Sequence, residues 1–183
     1  MQKISVRALV TMAIMAALSI ALVAVIHFPI FPAAPFLEYD PADIPILIAT
    51  FAFGPLAGLA VTAVACVVQG VTVSAQSGVY GIIMHLISTG SYVLVAGLIY
   101  HFKRSRLGAG LGLACGVLAS AAVMAAANLV ITPIFMGAPR EAVLAMLLPT
   151  IIPFNLIKAG ANGAVTFLLY KPISKLIKGK GNP

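Results

Sequence analysis

Long apolar runs closed by basic residues leave this chain few ways to fold. The clearest extend from about Val6 to His27, Val79 to Phe102 and Ala109 to Phe135, the middle one ending on Lys103, Arg104, Ser105 and Arg106. A helix of about 20 apolar residues crosses a bilayer, whereas strands of a membrane barrel would alternate apolar and polar positions. Only 8% of residues are charged and 62% are hydrophobic, against about 25% charged in ordinary soluble domains. The expected class is therefore an all-α integral membrane protein, because backbone groups in lipid must bond within their own segment. The formal charge of +7 does not indicate nucleic acid, since the cations sit at the ends of apolar runs as topology signals do.

Further spans complete a compact bundle of six transmembrane helices. The run Ile44 to Phe53 is short, broken by Gly54-Pro55, and needs tilt or a thinned bilayer to cross. A third span follows from about Leu56 to Ser74, with Gln69 near its far end, and a sixth runs from Phe154 to about Ile173. Between the fifth and sixth, Ala142 to Ile152 reads as a short apolar segment interrupted by Pro149 and Pro153. The whole chain, 1–183, forms one domain. Six spans place Lys3, Arg7, Lys103, Arg104, Arg106, Lys171, Lys175, Lys178 and Lys180 on one side, and Glu38, Asp40, Asp43, Arg140 and Glu141 on the other. The excess of Lys and Arg marks the first side as cytoplasmic, so both termini are expected there.

The segment 28–43 is then an extracellular loop, and an unusual one. It carries Pro29, Pro32, Pro35 and Pro41 but also Phe28, Phe31, Phe36, Leu37 and Tyr39, side chains that are costly to leave together in water. It is expected to fold back over the bundle as a lid; resting at headgroup level as an aromatic belt is the alternative. Asp40-Pro41 also suits a helix start, with Asp40 capping free amides.

Polar residues inside the spans mark a candidate site. In Pro153-Phe154-Asn155-Leu156-Ile157-Lys158-Ala159-Gly160-Ala161-Asn162, a helix puts Asn155, Lys158 and Asn162 on one face. A lysine within a membrane helix costs about 2.5–3.5 kcal/mol on insertion scales, so it is directed at a cavity or ligand unless it snorkels to the headgroups. The topology brings Asn128 to similar depth, with Gln76, Tyr80 and Thr89 flanking the same region. An apolar pocket with convergent polar groups suits a partly aromatic, partly hydroxylated small molecule. His85 reads more simply as a histidine satisfied by a neighbouring carbonyl than as a metal ligand or proton relay, and no metal spacing accompanies it. Cys66 and Cys115 read as small core residues. Ala13, Ala17 and Ala21 form a flat strip on the first helix, suited to close approach by another helix inside or outside the bundle.

Three stretches together, Phe36-Leu37-Glu38-Tyr39-Asp40-Pro41-Ala42-Asp43-Ile44-Pro45, Phe53-Gly54-Pro55-Leu56-Ala57-Gly58 and the Pro153–Asn162 run, resemble the riboflavin-specific substrate-binding subunits (S components, the RibU family) of energy-coupling factor (ECF) transporters. The resemblance covers the chain in order and topology. It implies a multi-pass protein of a prokaryotic cell membrane that binds riboflavin as transported ligand, not as a cofactor. It also implies a transmembrane coupling protein (T component) and two cytoplasmic ATPases as partners, with Ala13, Ala17 and Ala21 facing the coupling protein. Riboflavin contacts would fall on Asn128, Asn155 and Lys158, with Leu37 and Tyr39 covering the ring. The chain has no G-x-x-x-x-G-K-[ST] sequence and so no P-loop to power transport alone. Alternatives are an S component for another vitamin or precursor on the same scaffold, or a proton-coupled carrier using His85 or Lys158. A membrane enzyme is disfavoured, since no nucleophile–base pair stands at useful spacing.

Overall fold

The structure, a computed structural model, describes residues 5–178; Lys3, Lys180 and the side chain of Lys178 lie outside what it describes. Its helices are α1 (Val6–Val25), α2 (Asp43–Phe53), α3 (Pro55–Val71), α4 (Gly78–Phe102), α5 (Arg106–Met136), α6 (Arg140–Met146) and α7 (Ile152–Lys178). By length and composition α1, α4 with its preceding turn, α5 and the continuous α6–α7 unit can each cross a membrane, while α2 and α3 are shorter apolar helices.

The short α2 owes its place to its composition. Every residue from Asp43 to Phe51 is buried, and a helix apolar on all sides is stable only when surrounded. It packs against α1, α3, α4 and α7, which makes it the centre of the bundle. Gly54 then turns the chain at φ 100°, a backbone region that favours glycine. Pro55 opens α3 at a first-turn position, where its missing N–H costs nothing.

Close approach of α4 and α5 rests on small residues. A Cβ added at Gly112 would press on the Ala96 carbonyl, and one at Gly116 on the Tyr92 ring. The space serves Tyr92, which is 1% exposed and donates its hydroxyl to the Ala159 carbonyl of α7 at 3.1 Å. The core joins Tyr92 and Val93 to Ile46, Leu47 and Ile48 of α2 and to Met15 and Ala16 of α1. α1 turns Met15, Ala16, Ser19 and Val23 inward, and Ala13, Ala17 and Ala21 are exposed. Cys66 is buried, but Cys115 is on the outer face, where a small apolar side chain is equally at ease.

The connection into the last helix differs from the expected break. α6 and α7 are joined by one turn of π-helix, Leu147–Ile151, so the segment continues where proline was expected to interrupt it. Proline removes an N–H and crowds the carbonyl four residues earlier. Widening the helix by one residue relieves that crowding while the helix goes on.

The loop after α1 closes on the bundle. A two-residue antiparallel ladder pairs Phe28 with Tyr39 and Pro29 with Glu38, and the Phe28 and Tyr39 rings lie 5.4 Å apart. Ala34 and Leu37 form a separate small core with Val143, Ile151 and Phe154. The loop's aromatic and aliphatic side chains are thus anchored on α6 and the start of α7.

Candidate binding site beneath the loop

α7 carries Asn155, Lys158 and Asn162 on its inner face, and the loop descends onto that face. Lys158 Nζ reaches Asp40 Oδ2 at 2.5 Å and donates more weakly to the Glu38 carbonyl at 3.4 Å. The lysine therefore turns to a loop carboxylate and does not snorkel outward. Asp40 is 4% exposed; its other oxygen accepts from the Ala42 amide at 3.0 Å, bracing the turn ahead of α2, whose N-cap position is Ala42 and not the expected Asp40. The ring Nε2 of His85 stands 3.6 Å from the same Oδ2, so the histidine faces a carboxylate instead of the expected carbonyl. Burial pushes the Asp40 carboxyl up, yet the Lys158 ammonium and His85 outweigh it and hold Asp40 well below the usual carboxylate range. The Tyr39 phenol moves the other way, raised by burial and by the neighbouring Asp40 charge.

A second set of bonds ties the loop's end to three helices. Asn162 Nδ2 donates to the Asp40 carbonyl and to Asp43 Oδ2, both at 3.0 Å, while its Oδ1 accepts from Tyr39 OH at 3.1 Å. Thr89 donates to Asp43 Oδ1 at 2.7 Å, and Ser19 of α1 donates to the Ala42 carbonyl at 2.9 Å. Buried polar groups cost little once paired, and this network pairs the carboxylates of both Asp40 and Asp43.

Beside the network lies a cavity of about 150 Å³, lined by the loop, α3, α4, α5 and α7. Of the residues expected at the site, Leu37, Tyr80, Thr89, Asn128, Asn155 and Lys158 line it. Tyr39 and Asn162 do not; they are engaged with each other underneath the loop. Gln76 is exposed and does not line it either, although Ser74 and Ser77 beside it do. Asn128 is fully buried, its Nδ2 given to the Met124 carbonyl and its Oδ1 accepting from Thr132, both at 2.8 Å. Asn155 Nδ2 bonds the Ile151 carbonyl at 2.8 Å, a carbonyl within the π-helical turn.

Sequence reasoning missed Asp40, His85, Gln69, Ser88 and Thr132 as cavity residues. For Gln69 a signal was present, a lone carboxamide in an apolar span. For Asp40 the signal was weaker, an acid in an otherwise apolar loop whose partner is remote in the chain. The aromatic side is built from Tyr80 against Phe135, with ring centroids 6.0 Å apart, and Phe36 against Phe135 at 6.4 Å. No cluster of metal-ligating side chains occurs among the described residues.

Residues 7–170 match the family described as ECF transporter, substrate-specific component. The chain is 30% identical over 176 residues to the riboflavin transporter RibU of Staphylococcus aureus (strain TCH60), covering 93% of this chain and 92% of the relative. It is 30% identical over 162 residues to the riboflavin transporter FmnP of Bacillus subtilis (strain 168), covering 84% of each. A solved structure described as the S component of a bacterial ECF transporter superposes with a TM-score of 0.81 at 28% identity, over 94% of this chain and 98% of that one.

Proposed function

We infer the function from a family assignment: this chain belongs to the substrate-specific components of ECF transporters. It is accordingly a multi-pass membrane protein and a transporter component, not an enzyme. We propose riboflavin as its ligand, bound in the cavity beneath the 28–43 loop. The observation that carries the proposal is the match to two riboflavin transporters at 30% identity over most of both chains. The cavity suits the vitamin in kind. Phe36, Tyr80 and Phe135 offer ring faces to an aromatic tricycle, and Asn155, Lys158 and Ser88 offer hydrogen bonds to a polyol.

The cavity is also tighter than the roughly 300–1,000 Å³ typical of ligand sites, so entry requires the loop to yield and re-close. The charge balance favours the vitamin over its phosphate. Lys158 is already matched by Asp40, with Asp43 in the same network through Asn162, so an added dianion would compete with carboxylates already bound there.

In this reading both termini face the cytoplasm of a prokaryotic cell, and the loop faces outside. Ala13, Ala17 and Ala21 offer an exposed small-residue surface to the transmembrane coupling protein, whose two ATPases supply the energy. The test is purification of the chain alone in detergent from cells grown with riboflavin, with mass analysis of any chromophore released on denaturation. A stoichiometric flavin is expected. A colourless protein that leaves added riboflavin fluorescence unquenched would move the assignment to another vitamin on this scaffold.

A further inference from the structure

Gln69 sits in the last turns of α3, is 3% exposed, and lines the cavity with Cys66 and Gly70. Its Nε2 has no hydrogen-bond partner. A buried amide left unpaired costs free energy that folding alone does not recover, and a methionine of similar length would avoid that cost.

The other carboxamides around the cavity are differently placed. Asn128 has both amide atoms engaged within α5, and Asn155 gives its Nδ2 to the Ile151 carbonyl. Asn162, beneath the loop, is engaged at both ends. Gln69 Nε2 is thus the carboxamide nitrogen in this wall with neither of its N–H groups engaged.

The surroundings indicate which part of a ligand it meets. Its neighbour in the wall, Gly70, lies against Ile82, where an added Cβ would collide. α4 continues this wall with Tyr80, which stacks edge-on to Phe135. Groups able to bond a chain of hydroxyls, Lys158 and Asn155, come from α7. We propose that Gln69 is a specificity-determining residue whose amide donates to a ring carbonyl on the pyrimidine edge of the bound flavin. The proposal rests on the riboflavin reading and adds the residue that distinguishes a carbonyl-bearing ring from a merely flat one. A ring lacking that acceptor leaves the amide desolvated and unpaired, the situation in which polar sites discriminate most strongly.

The experiment compares the purified wild-type chain with Gln69→Met, titrating riboflavin and lumiflavin, which keeps the ring but lacks the ribityl chain. Both ligands should bind the variant about ten- to a hundredfold more weakly and by the same factor. The melting midpoint of the ligand-free variant should be unchanged or raised, because an unpaired amide has been removed. Unchanged affinity for riboflavin overturns the proposal, as does a loss confined to riboflavin, which would assign Gln69 to the ribityl chain. A lowered ligand-free midpoint with affinity retained would make Gln69 structural. A wild-type chain that binds neither flavin overturns the riboflavin reading itself and this inference with it, whereas failure of the variant arm alone overturns only the latter.

Discussion

Lys158 and Asp40 are 118 positions apart, and that distance separates what could be read from what could not. The lysine was legible as a buried cation because no other charge interrupts its apolar run. Its partner was not, since a pairing between a loop and the last helix is created only by the fold. The same holds for Asn162: its placement on the Lys158 face is a matter of helical spacing, but its engagement with Asp40, Asp43 and Tyr39 depends on where the loop lands. The pair makes a specific prediction. Asp40→Asn leaves Lys158 buried without its counter-charge and should destabilise the fold by about 3–5 kcal/mol. Lys158→Met alone should weaken riboflavin binding and also destabilise, through the orphaned carboxylate. Combining the two should restore most of the melting midpoint but not the affinity. If the double variant is as unstable as the sum of the singles, the two residues do not act as a pair. The pH dependence has a defined sign. Asp40 is held below its unfolded value of about 3.9, so its contribution is complete above that pH and fades as acid titrates it toward the depressed value. The midpoint difference between wild type and Asp40→Asn should therefore persist at pH 5 and shrink only below about pH 4.

At the scale of elements, α1, α4 and α5 follow from apolar length, and the ends of α4 and α5 fall at turns written in Gly, Pro and basic residues. The exception is the α6–α7 unit, where Pro149 and Pro153 suggested a break and a π-helical turn instead absorbs the crowding. Proline states a local conflict, and neighbouring structure decides whether it is resolved by breaking the helix or widening it. That turn matters to the loop, because Ile151, at its end, packs with Leu37, Val143 and Phe154. Leu37 is 7% exposed, and truncating a buried leucine to alanine costs about 2–5 kcal/mol. Part of that cost should appear as looser closure. Leu37→Ala is expected to accelerate riboflavin release by at least tenfold in stopped-flow fluorescence, with little change in helix content by circular dichroism. Release at the wild-type rate would mean that the loop does not gate the site.

For the whole molecule, the order of spans and the segregation of charge are plain in the sequence, but the arrangement around α2 is not. Ten or so apolar residues read as a span that barely reaches; in the fold they are a buried post that four other helices surround. An apolar run states only that water is excluded, and both lipid and protein satisfy it. The alanine strip of α1 presents the same ambiguity in reverse, since small residues pack equally well within a bundle or between proteins. Here α1 spends Met15, Ala16, Ser19 and Val23 on the bundle and leaves Ala13, Ala17 and Ala21 outward, so the internal partner that could have explained the strip is absent among the described residues. Ala17→Leu adds bulk to an outward position and should leave riboflavin affinity and the melting midpoint within error of wild type. If the strip is the docking surface, the same substitution holds the coupling protein's helix away, and a pull-down with the coupling protein and ATPases should recover far less of the variant. Vesicle uptake should fall in parallel. Undiminished complex formation would leave this face of α1 to lipid and place the coupling surface elsewhere on the bundle.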